Sequence, residues 1–275
     1  MTADASAPAW TEADLTKQLT VDCGVRPGDI LLVHSSMKSL GRVEGGPQAV
    51  VRALMAAVTE AGTILVPTYT SPQPDGVFHH PSTPSRTGLI TETFRTMPGV
   101  VRSLHPTHSV SAWGRQAREF TDGHERTSGL GAKSPFHKAA LAGGQVLMIG
   151  CSVTSCSLVH VSEALVRTPY FGVVFYPGYE RTLTMLLADG TRIEVPPKDN
   201  PTDSAGFTSL QAELDRRRLI TRCRLGAATC LKFSGRECLA VAVEMLKADP
   251  TALLCRNERC AVCPKARQLC PPIGR

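Results

Sequence analysis

His160 and Glu163 lie three residues apart in the run Ser155-Cys156-Ser157-Leu158-Val159-His160-Val161-Ser162-Glu163-Ala164, shortly after an apolar segment, Gln145 to Ile149, that reads as a buried strand. Residues three apart on a helix share a face. The imidazole and the carboxylate therefore point the same way from the start of a helix that leaves a strand. Open α/β folds place their ligands there, outside the carboxyl ends of strands. An imidazole steadied by a carboxylate is a general base near neutral pH. A lone histidine is more often a hydrogen-bonded core residue, and the carboxylate is what shifts the balance. The second histidine of an H-E-x-x-H zinc protease is absent.

Three further segments suit an anionic or amide-bearing ligand. His34-Ser35-Ser36-Met37 ends the apolar run Asp29 to Val33, where amides and small hydroxyls can hold a phosphate or a pantetheine amide. The same residues read equally as a plain strand-end turn, and no Walker loop is present. Arg102 to Val110 carries His105 and His108 in a loop entering a strand. Two histidines without a third ligand read as a positioning loop, with Ser109 and Val110 offering backbone groups to an extended ligand. Gly129 to Phe136 presents Lys133 and Ser134 beside glycines, a pattern compatible with phosphate.

The elements that position these residues follow from pattern. Thr11 to Asp14 forms a capping box for a first helix. Asp29 to Val33 predicts a strand, Pro47 starts a helix over 48–59, and Thr63 to Pro67 predicts a second strand. That order predicts a parallel sheet with helices on its faces. Residues 70–86 read as a long functional loop. Helices are expected over 88–97, 115–122, 136–141, from His160 to near Arg167, 209–217 and 236–246, with a strand at 109–113. Asp189-Gly190 between two β-prone runs predicts a hairpin. The expected fold is α/β: a central, largely parallel sheet flanked by helices, with a small β-hairpin subregion and a cysteine-rich tail. The expected division is a main domain over 1–250 and a tail over 251–275.

Composition bounds the class. At 42% hydrophobic and 20% charged the chain is neither disordered nor membrane-like. No signal peptide is read at the start, which predicts a cytoplasmic protein. A net charge of +6 with scattered basic residues argues little for nucleic acid and is compatible with a phosphate-bearing cofactor. Ten cysteines without a secretory signal are expected to be free thiols or metal ligands rather than disulfides. Cys255, Cys260, Cys263 and Cys270 have a spacing that four zinc thiolates could use, for a structural site. A tail of free or oxidised thiols is the alternative. Cys223, Cys230 and Cys238 read as ordinary core or surface residues.

Five blocks together resemble the aminoglycoside 3-N-acetyltransferase family. They are V-H-S-S-M-K-S-L-G with G-G-P, T-P-S-R-T-G-L-I-T-E-T-F-R, R-S-L-H-P-T-H-S-V-S-A-W-G, K-S-P-F and L-V-H-V-S-E-A, in the family's order over roughly residues 15–250. The resemblance implies an α/β sandwich, acetyl-CoA as co-substrate and a small-molecule amine acceptor. It places the family's catalytic histidine on His160, its glutamate on Glu163, and a further acid on Asp199, with Asp203 as rival. The family's Asn-Thr pair before the histidine is replaced by Cys156 and Ser157. Ser157 keeps a hydroxyl for the thioester oxyanion, while Cys156 loses the amide. Three readings stand: acetyl transfer to the 3-amino group of an aminoglycoside by direct attack, transfer to another amine metabolite, or a decayed, metal-bearing interaction protein.

Overall fold

The computed structural model describes residues 9–196 and 202–271. In chain order the strands are β1 (Ile30–Ser35), β2 (Thr63–Pro67), β3 (Val77–His79), β4 (Val101–Arg102), β5 (Val110–Gly114), β6 (Gln145–Ile149), β7 (Leu183–Leu186), β8 (Arg192–Val195), β9 (Thr221–Leu225) and β10 (Ala228–Ser234). The helices are α1 (Glu12–Lys17), α2 (Gly46–Val58), α3 (Leu89–Arg95), α4 (Ala117–Thr121), α5 (Pro135–Leu141), α6 (Leu158–Val166), α7 (Thr208–Arg216), α8 (Gly235–Ala248) and α9 (Cys263–Gln268). The Thr11 capping box, the Pro47 start of α2 and the hairpin at Asp189-Gly190 form as their residues predict.

Seven strands form one sheet in the order β4-β5-β2-β1-β6-β10-β9. Side chains on successive strand residues point to opposite faces, and the two cores divide accordingly. Leu31 and Val33 of β1, with Leu147 and Ile149 of β6, pack under α1, α2 and α3. Leu32, Val146 and Met148 face the other way, toward Phe120, Phe136, Val159, Leu210 and Val241 on α4 to α8. The centre of the sheet is therefore dry on both sides, which is why β2 reads as an unbroken apolar run.

The α/β class and the flanking helices agree with the sequence reading, but the sheet is mixed rather than largely parallel. Only β1 with β2 and β1 with β6 run parallel; β5 with β2, β4 with β5, β10 with β6 and β9 with β10 are antiparallel. The β-turn-α-β signal is real for β1-α2-β2, whereas β5 and β10 enter the sheet antiparallel from segments distant in sequence and β9 joins β10 through a tight turn. The predicted hairpin β7-β8 pairs with β3, so the 70–86 loop contributes a strand to a second, three-stranded sheet.

A second correction concerns cysteine chemistry. Cys23 and Cys223 are bonded as a disulfide across 200 residues, with Cα atoms 5.2 Å apart. The bridge ties the end of the first helical segment to the edge strand β9. The other described cysteines are free thiols. No helix among the described residues is long and apolar enough to cross a membrane.

Candidate active site

Because β1 is parallel to both β2 and β6, three strand ends open side by side. β1 ends in His34 and Ser35, β2 leads through Pro67 to Tyr69, and β6 leads through Cys151 to Ser157 and α6. These ends surround a cavity of about 350 Å³, whose lining includes His34, Ser35, Tyr69, His108, Ser157 and His160. That size lies at the lower end of the range of small-molecule sites.

On α6 the spacing of His160 and Glu163 does what a helix dictates. His160 Nδ1 meets Glu163 Oε2 at 2.8 Å. A carboxylate accepts, so Nδ1 carries the hydrogen and Nε2 keeps the lone pair. The second carboxylate oxygen accepts from Thr202 Oγ1 at 2.7 Å. Glu163 is 3% exposed and His160 9%, so the pair is shielded and only the ring reaches the cavity. The edge of the imidazole packs on Phe207, with ring centroids 4.8 Å apart.

Other imidazoles nearby are held differently. His108 packs against Tyr69 at 5.0 Å and pairs its Nδ1 with Thr107 Oγ1 at 2.9 Å. Burial, with repulsion from His160 and His124, pushes it down to about 3. Burial alone pushes His34 down to about 4. Both are neutral at physiological pH. Gly129 makes room for His108, since a Cβ there would lie 2.6 Å from the histidine's own Cβ.

Two cavity atoms are buried without a hydrogen-bond partner among the described residues, His34 Nε2 and Ser35 Oγ, and the Tyr69 phenol lies beside the Ser157 hydroxyl. Burial raises the Tyr69 phenol far above its ordinary range, so it stays a donor. Buried polar atoms are nearly always partnered, so orphans gathered around one cavity are consistent with a polar ligand there.

Of the residues assigned to cofactor from sequence, His34 and Ser35 line the cavity. Ser36 Oγ instead accepts from Ser39, and Met37 packs on the core. The carbonyl of Ser109 accepts from Thr68 N at 2.9 Å, and Val110 N donates to Ser103 Oγ at 2.8 Å. Those backbone groups are thus engaged within the protein. Lys133 N donates to His137 Nδ1, Ser134 is buried at the start of α5, and Phe136 lies 5.7 Å from the His34 ring. Asp199 falls outside the described residues. Asp203 accepts from Ala205 N at 2.8 Å and converges with Cys255, Cys260 and Cys263. Cys270, the expected fourth thiolate, is outside that group and donates to Ala266 O. Tyr69 and Thr202 were not read from sequence. Tyr69 carried a usable signal, two residues beyond a buried strand; Thr202 had none.

The family model described as aminoglycoside 3-N-acetyltransferase matches residues 32–247. Aminoglycoside N(3)-acetyltransferase III of Pseudomonas aeruginosa is 30% identical over 247 residues, covering 82% of this chain and 89% of the relative. Aminoglycoside N(3)-acetyltransferase IV of a Salmonella species is 30% identical, covering 89% and 90%. Among solved structures, a mutant of AAC(3)-IVa in complex with a gentamicin superposes with a TM-score of 0.83 at 29% identity, over 96% of this chain and 99% of that one. AAC-IIIb with CoASH matches at 0.71 and 25% identity, over 87% and 97%. With its matching blocks, its sheet and its cavity at the parallel strand ends, the chain belongs to the aminoglycoside 3-N-acetyltransferase family.

Proposed function

We propose that this protein transfers acetyl from acetyl-CoA to the 3-amino group of an aminoglycoside, and so confers resistance to it. The observation that carries this reading is the His160-Glu163-Thr202 chain of hydrogen bonds, which presents one base to a cavity at three strand ends. The acceptor nitrogen attacks the thioester carbonyl, and His160 Nε2 takes its proton. Glu163 stabilises the charge that appears on the ring, and Thr202 keeps the carboxylate aimed. The carbonyl electrons move onto oxygen, where the Ser157 hydroxyl, with Tyr69 beside it, donates. Collapse breaks the carbon–sulfur bond, and the proton held on His160 leaves with the CoA thiolate. Cys156 lines the same cavity, but we take transfer to be direct, because the hydrogen-bonded partner of His160 is Glu163 rather than a thiol. A cytoplasmic location goes with the use of acetyl-CoA.

One observation favours a second acceptor class. None of the described residues lining the cavity is Asp or Glu. Aminoglycosides are polycations that acidic walls attract, so a less charged amine metabolite is the alternative acceptor. A thiol-release assay with acetyl-CoA decides between them. Free CoA with kanamycin- or gentamicin-type acceptors, and an acetyl group on the 3-amino nitrogen of the product, is the expected result. Release with other amines only would transfer the assignment to the alternative.

A further inference from the structure

We propose that Asp203, Cys255, Cys260 and Cys263 form a structural zinc site that clamps the strap holding the catalytic pair. The four ligand atoms already lie within 4.8 Å of one another. Tetrahedral zinc with Zn–S near 2.3 Å would set sulfurs roughly 3.8 Å apart, a small contraction. Three soft sulfurs with one carboxylate suit zinc and not magnesium or calcium. The backbone already treats these sulfurs as acceptors: Cys255 N donates to Cys263 Sγ at 3.3 Å and Cys263 N to Cys260 Sγ at 3.4 Å. Charge agrees as well. Three thiolates, one carboxylate and Zn²⁺ leave a net negative site, and Arg256, Arg259, Lys265 and Arg267 outnumber Glu258 in the same segment.

Leu253 anchors the start of the tail in the main core, but the segment beyond it has only a small core of its own. Its own buried cluster is Tyr170, Leu254, Cys255, Cys263 and Ala266, too small a core to order a loop-rich segment without a staple.

What the zinc would hold is the strap 202–207. Asp203 supplies a ligand, while its neighbour Thr202 donates to Glu163 at 2.7 Å. Ser204 lines the cavity, and Phe207 packs on the His160 ring. The strap lies directly on the tail: a Cβ on Gly206 would fall 2.2 Å from Leu253 O and 2.6 Å from Cys255 N. None of the four ligands lines the cavity. Thr202 and the zinc are thus positioning groups, outside the acyl transfer itself. The clamp rests on the proposed transferase function; the metal site does not.

The test uses the full chain, purified under reducing conditions without chelator. Elemental analysis is expected to find about one zinc per chain. Cys260→Ser and Cys263→Ser should each lower it at least tenfold, and Cys270→Ser should leave it unchanged. Cobalt(II) exchanged into the wild type should show thiolate-to-metal charge-transfer absorption. That spectrum decides the point even where the serine variants fail to fold. Stripping zinc should lower kcat roughly tenfold, as loss of a positioning shell does, with the KM for acetyl-CoA little changed and recovery on reloading. A folded wild type with under a tenth of a zinc per chain, iron in its place, or full zinc in Cys260→Ser overturns the site. Zinc loss without a change in kcat overturns the clamp. A wild type inactive toward every amine would overturn the transferase reading alone, since metal content is read separately.

Discussion

His160 and His108 line the same cavity, and both are largely buried, yet their surroundings are opposite in kind. His160 is braced by a carboxylate, which in turn is braced by Thr202. His108 has a hydroxyl on Nδ1, an aromatic ring against its face and two other imidazoles near it, and it is held neutral far below neutral pH. His34, on the same wall, resembles His108: burial keeps it uncharged and its Nε2 has no described partner. The contrast teaches that a cavity does not make a base. Of the three rings, His160 is the one with a carboxylate on its Nδ1, whereas burial holds His34 and His108 neutral.

The largest test of this contrast is activity. His160→Ala should lower kcat by about 10³, within the range a general base contributes, with acetyl-CoA binding retained. His108→Asn should cost at least about tenfold less by the same measure. Equal losses in steady-state assays would erase the distinction. Next is the pH dependence of stability. In the unfolded chain these rings take up a proton near 6.5, whereas in the fold His34 resists until about 4 and His108 until about 3. The unfolded state therefore binds more protons in between. Stability is full above about pH 6.5 and falls as the pH drops toward the folded values, by about 3 kcal/mol for His34 alone. Denaturant titrations at pH 7 and pH 4.5 measure it, and a flat result would contradict the burial of both rings.

Smaller effects sharpen the picture of the bracing anion. Glu163→Gln keeps the shape and removes the charge, and kcat should fall by roughly 10- to 100-fold with KM nearly constant. Thr202→Val removes only a donor to the carboxylate, so a loss of about tenfold or less is expected, restored by Thr202→Ser. A valine variant as impaired as Glu163→Gln would mean that Thr202 does more than aim the carboxylate.

The contact between His160 and Glu163 was legible because the two residues are local. His160 and Glu163 meet through helix periodicity within four residues, and His34 and Ser35 close the apolar run of β1, whereas Ser157 was pointed to by the family resemblance alone. Tyr69 obeyed the same strand-end rule and was passed over. The hairpin β9-β10 was also missed, although Thr221 to Leu225 alternates in burial as a half-exposed strand should.

The chain's order of residues determined the local geometry: which helix bears His160, that Glu163 meets it, where strands end, and which cysteines share a segment. Each follows from backbone periodicity and capping, which act over a few residues. Folding alone decided the mixed direction of the sheet, the pairing of Cys23 with Cys223, the donor that Thr202 supplies and the approach of Asp203 to the tail thiols. These join segments tens to hundreds of residues apart, and such contacts are selected by packing of the whole core, for which no short stretch of sequence carries a signature.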